Sequence, residues 1–302
     1  MYTKILVPLD GSTTAEAVLP YVEALALGFR TAVEFLSVAD VGAMTSHLAA
    51  DKTHRADAVV AAEAKNSAAY LENIAKRFAR ISSQCRVLRG HAAEAILEAA
   101  AKDRNTLVAM ATHGRSGAQR WLLGSVAEKV LRGTTNPLFL VRAGVAKTSP
   151  QRIINSIVVP LDGSALAEEI LPTVSSWAQA LDLEVTLIRA FQMPGAMYAG
   201  SEVYLPDYDE LRKESHDEAA AYLKHQEVRL VKEGVRTVAI RTMEGTAADE
   251  IINFAHNETH ALVAMSTHGY TGVKRWLLGS VTEKVVRHGD DPVLIVRGGR
   301  GE

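Results

Sequence analysis

The sequence predicts an α/β protein built from two tandem three-layer domains, each with a doubly wound, five-stranded parallel sheet. Three observations lead to this fold class. The chain has 302 residues, enough for two domains of ordinary size. One half of the chain repeats in the other half, and within each half short β-branched apolar runs alternate with longer helical patterns. That alternation indicates parallel strands joined by right-handed helical crossovers.

The repeat begins in the first strand-like segment. Ile5–Ser12 returns as Ile157–Ser164, a shift of 152 positions. Later segments match with a shift of 155, so three extra residues enter the second copy near Lys232–Gly234. With this correction Arg120–Val126 returns as Arg275–Val281 without a change.

The domain boundary is predicted between the two copies. The stretch that follows the first copy is polar and irregular, which is typical of a linker between two hydrophobic cores. The first domain is therefore predicted at 1–143, the linker at 144–151 and the second domain at 152–298.

Strands and helices are predicted from the period of the apolar residues. Continuous apolar runs are typical of strands that are covered on both faces. In the first copy these runs are 4–9, 32–38, 86–88, 107–111 and 138–141, and the helical patterns between them are 13–27, 55–79, 92–101 and 125–132. Pro20 and its equivalent Pro172 fall inside the first helical pattern, where proline costs about 3 kcal/mol. A kink or a later helix start is expected there.

Bulk composition excludes several classes of partner. Lys and Arg number 33 against 35 Asp and Glu, and the formal net charge of −2 gives no electrostatic basis for binding nucleic acid or an anionic membrane. Cys85 is the single cysteine, which excludes an intramolecular disulfide and a cysteine-ligated zinc site. The N-terminus carries no signal-peptide pattern, and no apolar stretch reaches the length of a membrane span. A cytoplasmic location is expected.

The first candidate motif follows the first strand of each copy. Pro8–Ser12 and its copy Pro160–Ser164 both end in Asp-Gly-Ser. One interpretation is a strand-turn-helix boundary, in which Ser12 or Thr13 caps the next helix and Glu16 completes a capping box with Thr13. The other is functional, because a carboxylate at the carboxyl end of a parallel strand can bind a ribose hydroxyl or a base amine. The residues alone leave both interpretations open.

The second candidate motif follows the fourth strand. Ala111–Gly114 is separated by nine residues from Gly124–Val126, which opens a helix, and the second copy repeats this spacing with Ser266–Gly269 and Gly279–Val281. Glycine lets the backbone approach an anion closely, and a helix N-terminus offers free amide groups and a favourable dipole. A lone Gly-Ser would be an ordinary helix cap, whereas the two segments together favour a phosphate site.

Together the two motifs resemble the universal stress protein family, whose ATP-binding members carry Gly, two residues, Gly, nine residues, and then Gly with Ser or Thr. The resemblance covers both halves of the chain and implies a Rossmann-like fold of the adenine nucleotide alpha-hydrolase type. It also implies ATP or a related adenine nucleotide as cofactor, with or without Mg²⁺, bound at the carboxyl ends of the strands. In the first copy the implied nucleotide-binding residues are Pro8, Leu9, Asp10, Val38, Ala111, His113, Gly114, Gly124, Ser125 and Val126. In the second copy they are Pro160, Leu161, Asp162, Ala190, Ser266, His268, Gly269, Gly279, Ser280 and Val281.

Three classes of function remain open. The favoured class is a stress-response regulatory protein that binds the nucleotide in one or both domains. An interaction scaffold with vestigial sites is the second class, because Ala111 and Ser266 stand where the family has its first motif glycine. A slow ATPase is the third, in which His113 or His268 could act as a general base, although a structural histidine that bonds the neighbouring loop is the favoured interpretation. Since no P-loop, metal motif or catalytic set accompanies these histidines, neither a catalytic residue nor a metal ligand is assigned.

The fifth strand of each copy implies a mode of assembly. Leu138–Arg142 and Val293–Arg297 are largely apolar and would lie at a sheet edge in this family's fold, where a bare strand invites pairing. The resemblance implies that the two domains pair through these strands within one chain, and a homodimer of chains is a further hypothesis.

Overall fold

The structure is a computed structural model that describes residues 2–39, 53–112, 123–142, 153–193, 208–267 and 279–298. Within these ranges the chain forms two compact units. Among the described residues, the first unit contains those up to Ile153 together with Pro292–Arg297, and the second contains those from Ile154 to Asp291 together with Gly298. The predicted linker at 144–151 lies outside the described residues.

Strands and helices alternate in both copies. The first copy contains β1 (Lys4–Pro8), a 3-10 turn (Ala15–Val18), α1 (Leu19–Phe29), β2 (Ala32–Ala39), α2 (Thr53–Arg77), β3 (Ser83–Arg89), α3 (Ala92–Ala101), β4 (Thr106–Ala111), α4 (Ser125–Gly133) and β5 (Leu138–Val141). The second copy contains β6 (Ser156–Pro160), α5 (Ala165–Glu168), α6 (Leu171–Leu181), β7 (Glu184–Phe191), α7 (Tyr208–Lys232), β8 (Val238–Glu244), α8 (Ala247–Asn257), β9 (Ala261–Thr267), α9 (Ser280–His288) and β10 (Val293–Arg297).

The strand order creates a switch point in each copy. The first copy has the order β3-β2-β1-β4-β5, in which each neighbouring pair is parallel. The second copy repeats it as β8-β7-β6-β9, again with parallel pairs. The chain winds outward in one direction from β1 to β3 and in the other from β4 to β5, so a crevice forms beyond the carboxyl ends of β1 and β4. The α/β fold class predicted from the sequence is confirmed.

The core lies between the strands and the helices of each copy. The residues of β4 and β5 are buried throughout, as a strand covered on both faces requires. In the first copy α2 packs against β2 and β3, whereas α3 packs against β2, β4 and α4. No helix in the described part of the chain has the length and hydropathy to cross a membrane.

Two expectations about the helices are confirmed. α1 begins at Leu19 and α6 at Leu171, so Pro20 and Pro172 occupy the first helical turn, where a missing amide proton breaks no helical hydrogen bond. The inserted residues of the second copy lie at the end of the long helix. α2 ends at Arg77, whose equivalent is Arg229, but α7 continues to Lys232 and is followed by Gly234 with φ 96°.

Candidate functional site

A cavity of about 210 Å³ lies beyond the carboxyl ends of β1, β2 and β4 in the first unit. The residues predicted from the sequence that line it are Pro8, Leu9, Asp10, Val38, Ala111, Gly124, Ser125 and Val126. The elements at the switch point therefore bring together two motifs that are about 100 residues apart in the chain.

The second unit repeats the cavity with a volume of about 320 Å³. Its predicted lining residues are Pro160, Leu161, Asp162, Ala190, Ser266, Gly279, Ser280 and Val281. The remaining predicted residues, His113, Gly114, His268 and Gly269, lie outside the described part of the chain. The assignment of all these residues to a nucleotide stays a prediction.

A tight turn fixes the aspartate at the edge of each cavity. The Leu9 amide donates to the Leu36 carbonyl at 2.8 Å, which extends the β1–β2 ladder up to the turn. Asp10 Oδ1 then accepts hydrogen bonds from the amide of Ser12 at 3.0 Å and from its hydroxyl at 2.6 Å. Between them Gly11 has φ 81°, a backbone conformation that glycine adopts without strain. The sequence dictates this geometry because Asp, Gly and Ser are the residue types that such a turn requires.

The second unit builds the same turn. Asp162 Oδ1 accepts from the amide of Ser164 at 2.9 Å, and Gly163 has φ 92°. The Ser164 hydroxyl accepts from the Ala167 amide at 3.1 Å and so caps α5. In the first unit Ser12 makes the equivalent bond with the Ala15 amide at 3.1 Å.

The predicted capping box between Thr13 and Glu16 is wrong. Ser12 accepts from the Ala15 amide instead, and the Glu16 carboxylate is bound by Tyr70 and Arg77 of α2. Among the described residues, the Glu16 carboxylate is therefore bonded to residues more than 50 positions away in the chain and not to a nearby backbone amide.

A helix N-terminus forms another wall of each cavity. The first backbone hydrogen bond of α4 runs from the Glu128 amide to the Gly124 carbonyl at 2.8 Å. The three amides before it, those of residues 125 to 127, have no acceptor within the helix, and all three residues line the cavity. In the second unit the Glu283 amide bonds the Gly279 carbonyl at 2.9 Å, and residues 280 to 282 line the cavity. Such amides attract an anion.

Sequence reasoning missed the apolar wall that faces these amides. In the first unit the additional lining residues are Ala15, Leu36, Ala92, Ile96, Met110, Thr112 and Ala127. In the second they are Ser164, Leu166, Ala167, Ile188, Ala247, Ile251, Met265 and Thr282. Most are ordinary apolar residues of strands and helices, so nothing in the sequence distinguishes them from the core.

The serine of the second copy is used within the fold. The Ser266 hydroxyl at the end of β9 donates to the Leu166 carbonyl of α5 at 2.5 Å. Serine places a hydroxymethyl group where the family's glycine has a hydrogen, and the hydroxyl of that group is hydrogen-bonded to the protein backbone. In the first unit the equivalent Ala111 carries a methyl group, and it also lines the cavity.

A model of the universal stress protein family matches the chain twice, over residues 1–142 and 154–297. The chain belongs to this family. A universal stress protein of Methanocaldococcus jannaschii is 31% identical over 147 residues, which are 49% of this chain and 84% of that protein. Universal stress protein YxiE of Bacillus subtilis is 29% identical over 150 residues, which are 48% of this chain and 100% of YxiE. Each of these relatives thus corresponds to about half of the chain.

A solved structure shows the same fold over the whole chain. The crystal structure of a universal stress protein from Archaeoglobus fulgidus has a TM-score of 0.72, covers 99% of this chain and 100% of that one, and is 20% identical. At this identity the likeness establishes the fold alone. Two universal stress protein repeats in tandem therefore account for the architecture.

In this universal stress protein a repeated contact joins the turn near each aspartate to the long helix. The Tyr70 hydroxyl donates to Glu16 Oε1 at 3.1 Å, and Arg77 Nη1 lies 3.0 Å from Glu16 Oε2. In the second unit Tyr222 donates to Glu168 at 3.0 Å, and Arg229 lies 3.6 Å from the same carboxylate.

The environment of this phenol changes its acidity. Burial, followed by the negative charge of Glu16 and the hydrogen bond to it, raises the pKa of Tyr70 above its ordinary value of 10.0. The same causes raise the pKa of Tyr222. The neutral phenol is therefore the form that the folded protein favours.

Tyr70→Phe is expected to lower the free energy of unfolding of the first unit by about 1 kcal/mol at neutral pH, because one hydrogen bond to a carboxylate is lost. Since the pKa is raised in the folded state, this contribution is fully present below pH 10.0 and is lost as the unfolded phenol ionises above it. Urea unfolding of both proteins at about pH 7 and about pH 11 measures the difference. If the difference in unfolding free energy between the two proteins were the same at both pH values, the hydrogen bond between Tyr70 and Glu16 would not contribute to stability.

Proposed function

We propose that each cavity binds an adenine nucleotide, with ATP as the first candidate, and that occupancy regulates the part the protein plays in a stress response. The observation that carries the proposal is the union of three helix-terminal amides, one aspartate and an apolar wall around a single cavity in each unit. These are the three kinds of surface that a nucleoside phosphate requires.

Each surface fits one part of the ligand. The amides of residues 125 to 127 would receive the phosphates, since an anion is stabilised at a helix N-terminus. Asp10 would accept hydrogen bonds from ribose hydroxyls, as a carboxylate at a strand end does in other doubly wound folds. The apolar wall would hold the base. The second unit offers the same set through residues 280 to 282 and Asp162.

Magnesium would accompany the phosphates rather than bind to the protein alone. Within the described ranges, no group of three or more His, Cys, Asp and Glu side chains is placed to hold a metal ion. Mg²⁺ commonly keeps several water ligands and binds through substrate phosphates. The ion would therefore be bound through the nucleotide.

Domain boundaries and assembly complete the proposal. We place the domains at 1–143 and 152–298 and propose that they pair through the fifth strand of each copy. The apolar composition of Leu138–Val141 supports this, because an uncovered apolar edge strand would invite aggregation. Association of two chains into a homodimer is a separate proposal, because fifth strands that pair within one chain no longer offer an uncovered edge.

Calorimetric titration of ATP with Mg²⁺ into the full chain tests the nucleotide proposal. Saturable binding is expected, with a stoichiometry of one or two nucleotides per chain. Asp10→Asn should weaken binding in the first unit about tenfold, because a hydrogen bond to a charged acceptor is lost, and Asp162→Asn should do the same in the second.

The asparagine variants separate the ligand contact from the turn. Asn keeps an oxygen that can accept from the Ser12 amide, whereas Asp10→Ala removes the turn as well as the charge. Absence of binding in folded, ligand-free protein would refute the proposal. Binding that none of these variants alters would place the nucleotide elsewhere.

A further inference from the structure

The two cavities share most of their apolar wall. Leu36, Ile96 and Met110 of the first cavity correspond to Ile188, Ile251 and Met265 of the second. Two of these pairs are identical, and leucine and isoleucine are isomers of equal size. A ligand base therefore meets nearly the same surface in both units at these positions.

One position of the apolar wall changes size. Val38 near the end of β2 corresponds to Ala190 near the end of β7, and each lines the cavity of its own unit. The register supports the equivalence, because the pair Val38 and Leu88 and the pair Ala190 and Met243 are each the last but one in their strand ladder. Two methyl groups are absent from the second cavity at this point.

The volumes differ in the direction that this substitution requires. The second cavity has about 320 Å³ against about 210 Å³ for the first. The other changes near the wall add atoms to the second unit, since Ser266 replaces Ala111 and Thr282 replaces Ala127. The hydroxyl of Ser266 is bound to the Leu166 carbonyl at 2.5 Å. Among the equivalent apolar residues that line both cavities, the change from Val38 to Ala190 is therefore the one that makes the side chain smaller.

We infer that the pair Val38 and Ala190 sets the size of the base that each unit accepts, so that the second unit takes adenine nucleotides whose base carries an added ring or substituent and the first excludes them. The inference rests on the proposed function. Charged phosphates are drawn to the helix amides, which leaves the apolar wall to the base. An added group on the base then meets the valine side chain in one unit and open space in the other.

The probe is 1,N6-etheno-ATP, a fluorescent nucleotide. Its base is larger than adenine because a two-carbon bridge between N1 and N6 closes a third ring. The cavities are measured singly by introducing a negative charge at the phosphate end of the other one, with Ser280→Glu isolating the first cavity and Ser125→Glu the second. In each background the dissociation constants of ATP and of the probe are determined, and their ratio is compared.

The ratio of the probe's dissociation constant to that of ATP is expected to be about tenfold higher in the first cavity than in the second, the scale on which a few methyl groups discriminate ligands. Val38→Ala should lower the ratio in the first cavity toward the value of the second. Ala190→Val should raise it in the second. This reciprocal exchange is a result that a general loss of stability cannot produce.

Two negative results have different meanings. Equal ratios in both cavities and in both size variants, with ATP bound normally, would overturn the inference and leave the nucleotide function intact. Failure of ATP itself to bind in either background, with circular dichroism showing folded protein, would overturn the proposed function and the inference with it.

Discussion

Ser125→Glu is expected to abolish detectable ATP binding in the first unit while leaving its fold intact. The new carboxylate would stand at the first position of α4, where the phosphates of the ligand would bind the free amides. Opposing a polyphosphate with a like charge costs several kcal/mol, so a loss of about 100-fold in affinity, or ~2.7 kcal/mol, is a minimum.

The same substitution favours the helix itself. Ser125 is exposed, and a negative charge in the first turn of a helix interacts favourably with the helix dipole by about 0.3–1 kcal/mol. The loss of binding can therefore be separated from a loss of folding. Thermal unfolding of the variant should occur at or slightly above the temperature of the parent.

The chain supplies a matched experiment in its second copy. Ser280→Glu places the same charge at the start of α9 and should eliminate the other binding event. Ser125→Ala, which removes the hydroxyl and adds no charge, should weaken binding by less than about tenfold. Calorimetric stoichiometry that Ser125→Glu and Ser280→Glu both leave unchanged would show that the anion does not bind at these helix ends.

Asn136→Ala is expected to lower the free energy of unfolding of the first unit by about 2–4 kcal/mol. Asn136 is 2% exposed and lies just before β5. Its side-chain amide donates to the Asp103 carbonyl at 2.8 Å and to the Thr106 carbonyl at 3.2 Å. Truncation would remove a donor from both carbonyls. The Asp103 carbonyl keeps the Thr106 amide as a donor at 3.0 Å, so the larger cost falls on the buried bond to the Thr106 carbonyl, since an unsatisfied buried group costs more than a hydrogen bond contributes.

Urea unfolding of the full chain, followed in the transition of the first unit, measures this effect. Asn136→Asp provides the comparison, because aspartate is the residue that the second copy carries at the equivalent position 291. It has the shape of asparagine but presents oxygen to the two carbonyls when ionised, so its pKa in the folded state should be raised. Stability of that variant should consequently fall as pH rises above the ordinary range of an aspartate. A change of less than about 0.5 kcal/mol in Asn136→Ala would mean that the two bonds contribute nothing.

Local sequence signals predicted most of the fold. The positions of Pro20 and Pro172 indicated a later helix start because proline is tolerated only in a first turn, and both helices begin one residue before it. The repeat indicated that the second copy has the same succession of strands and helices as the first. The element boundaries in the structure differ from the predicted ones by a few residues, as at β3, whose first residues Ser83 and Gln84 are polar and carry no apolar signal.

The site was predicted only where residue type and position acted together. Asp10 follows a strand and Ser125 begins a helix, and both have polar side chains that can bind a ligand. The sequence therefore indicates both residues. Ile96 and Met110 have the chemistry of core residues, and only the packing of α3 over β4 turns them toward a cavity. The failed capping box has a related cause, since Glu16 is bound by Tyr70 and Arg77 from α2, and no local pattern reports a contact over that separation.

The hydrogen bond between Ser266 and Leu166 also limits how the duplicated halves can be exchanged. Two identical copies can exchange residues without effect. After the copies diverge, the effect of a substitution depends on the residues that surround it in its own copy. Because the Ser266 hydroxyl supports the backbone of α5, replacing Ser266 with the alanine that the first copy carries at position 111 would remove that support. A chimera that exchanges only residue 266 is therefore expected to lose stability, whereas exchange of Ser266 together with the segment that contains Leu166 keeps the donor and the acceptor together.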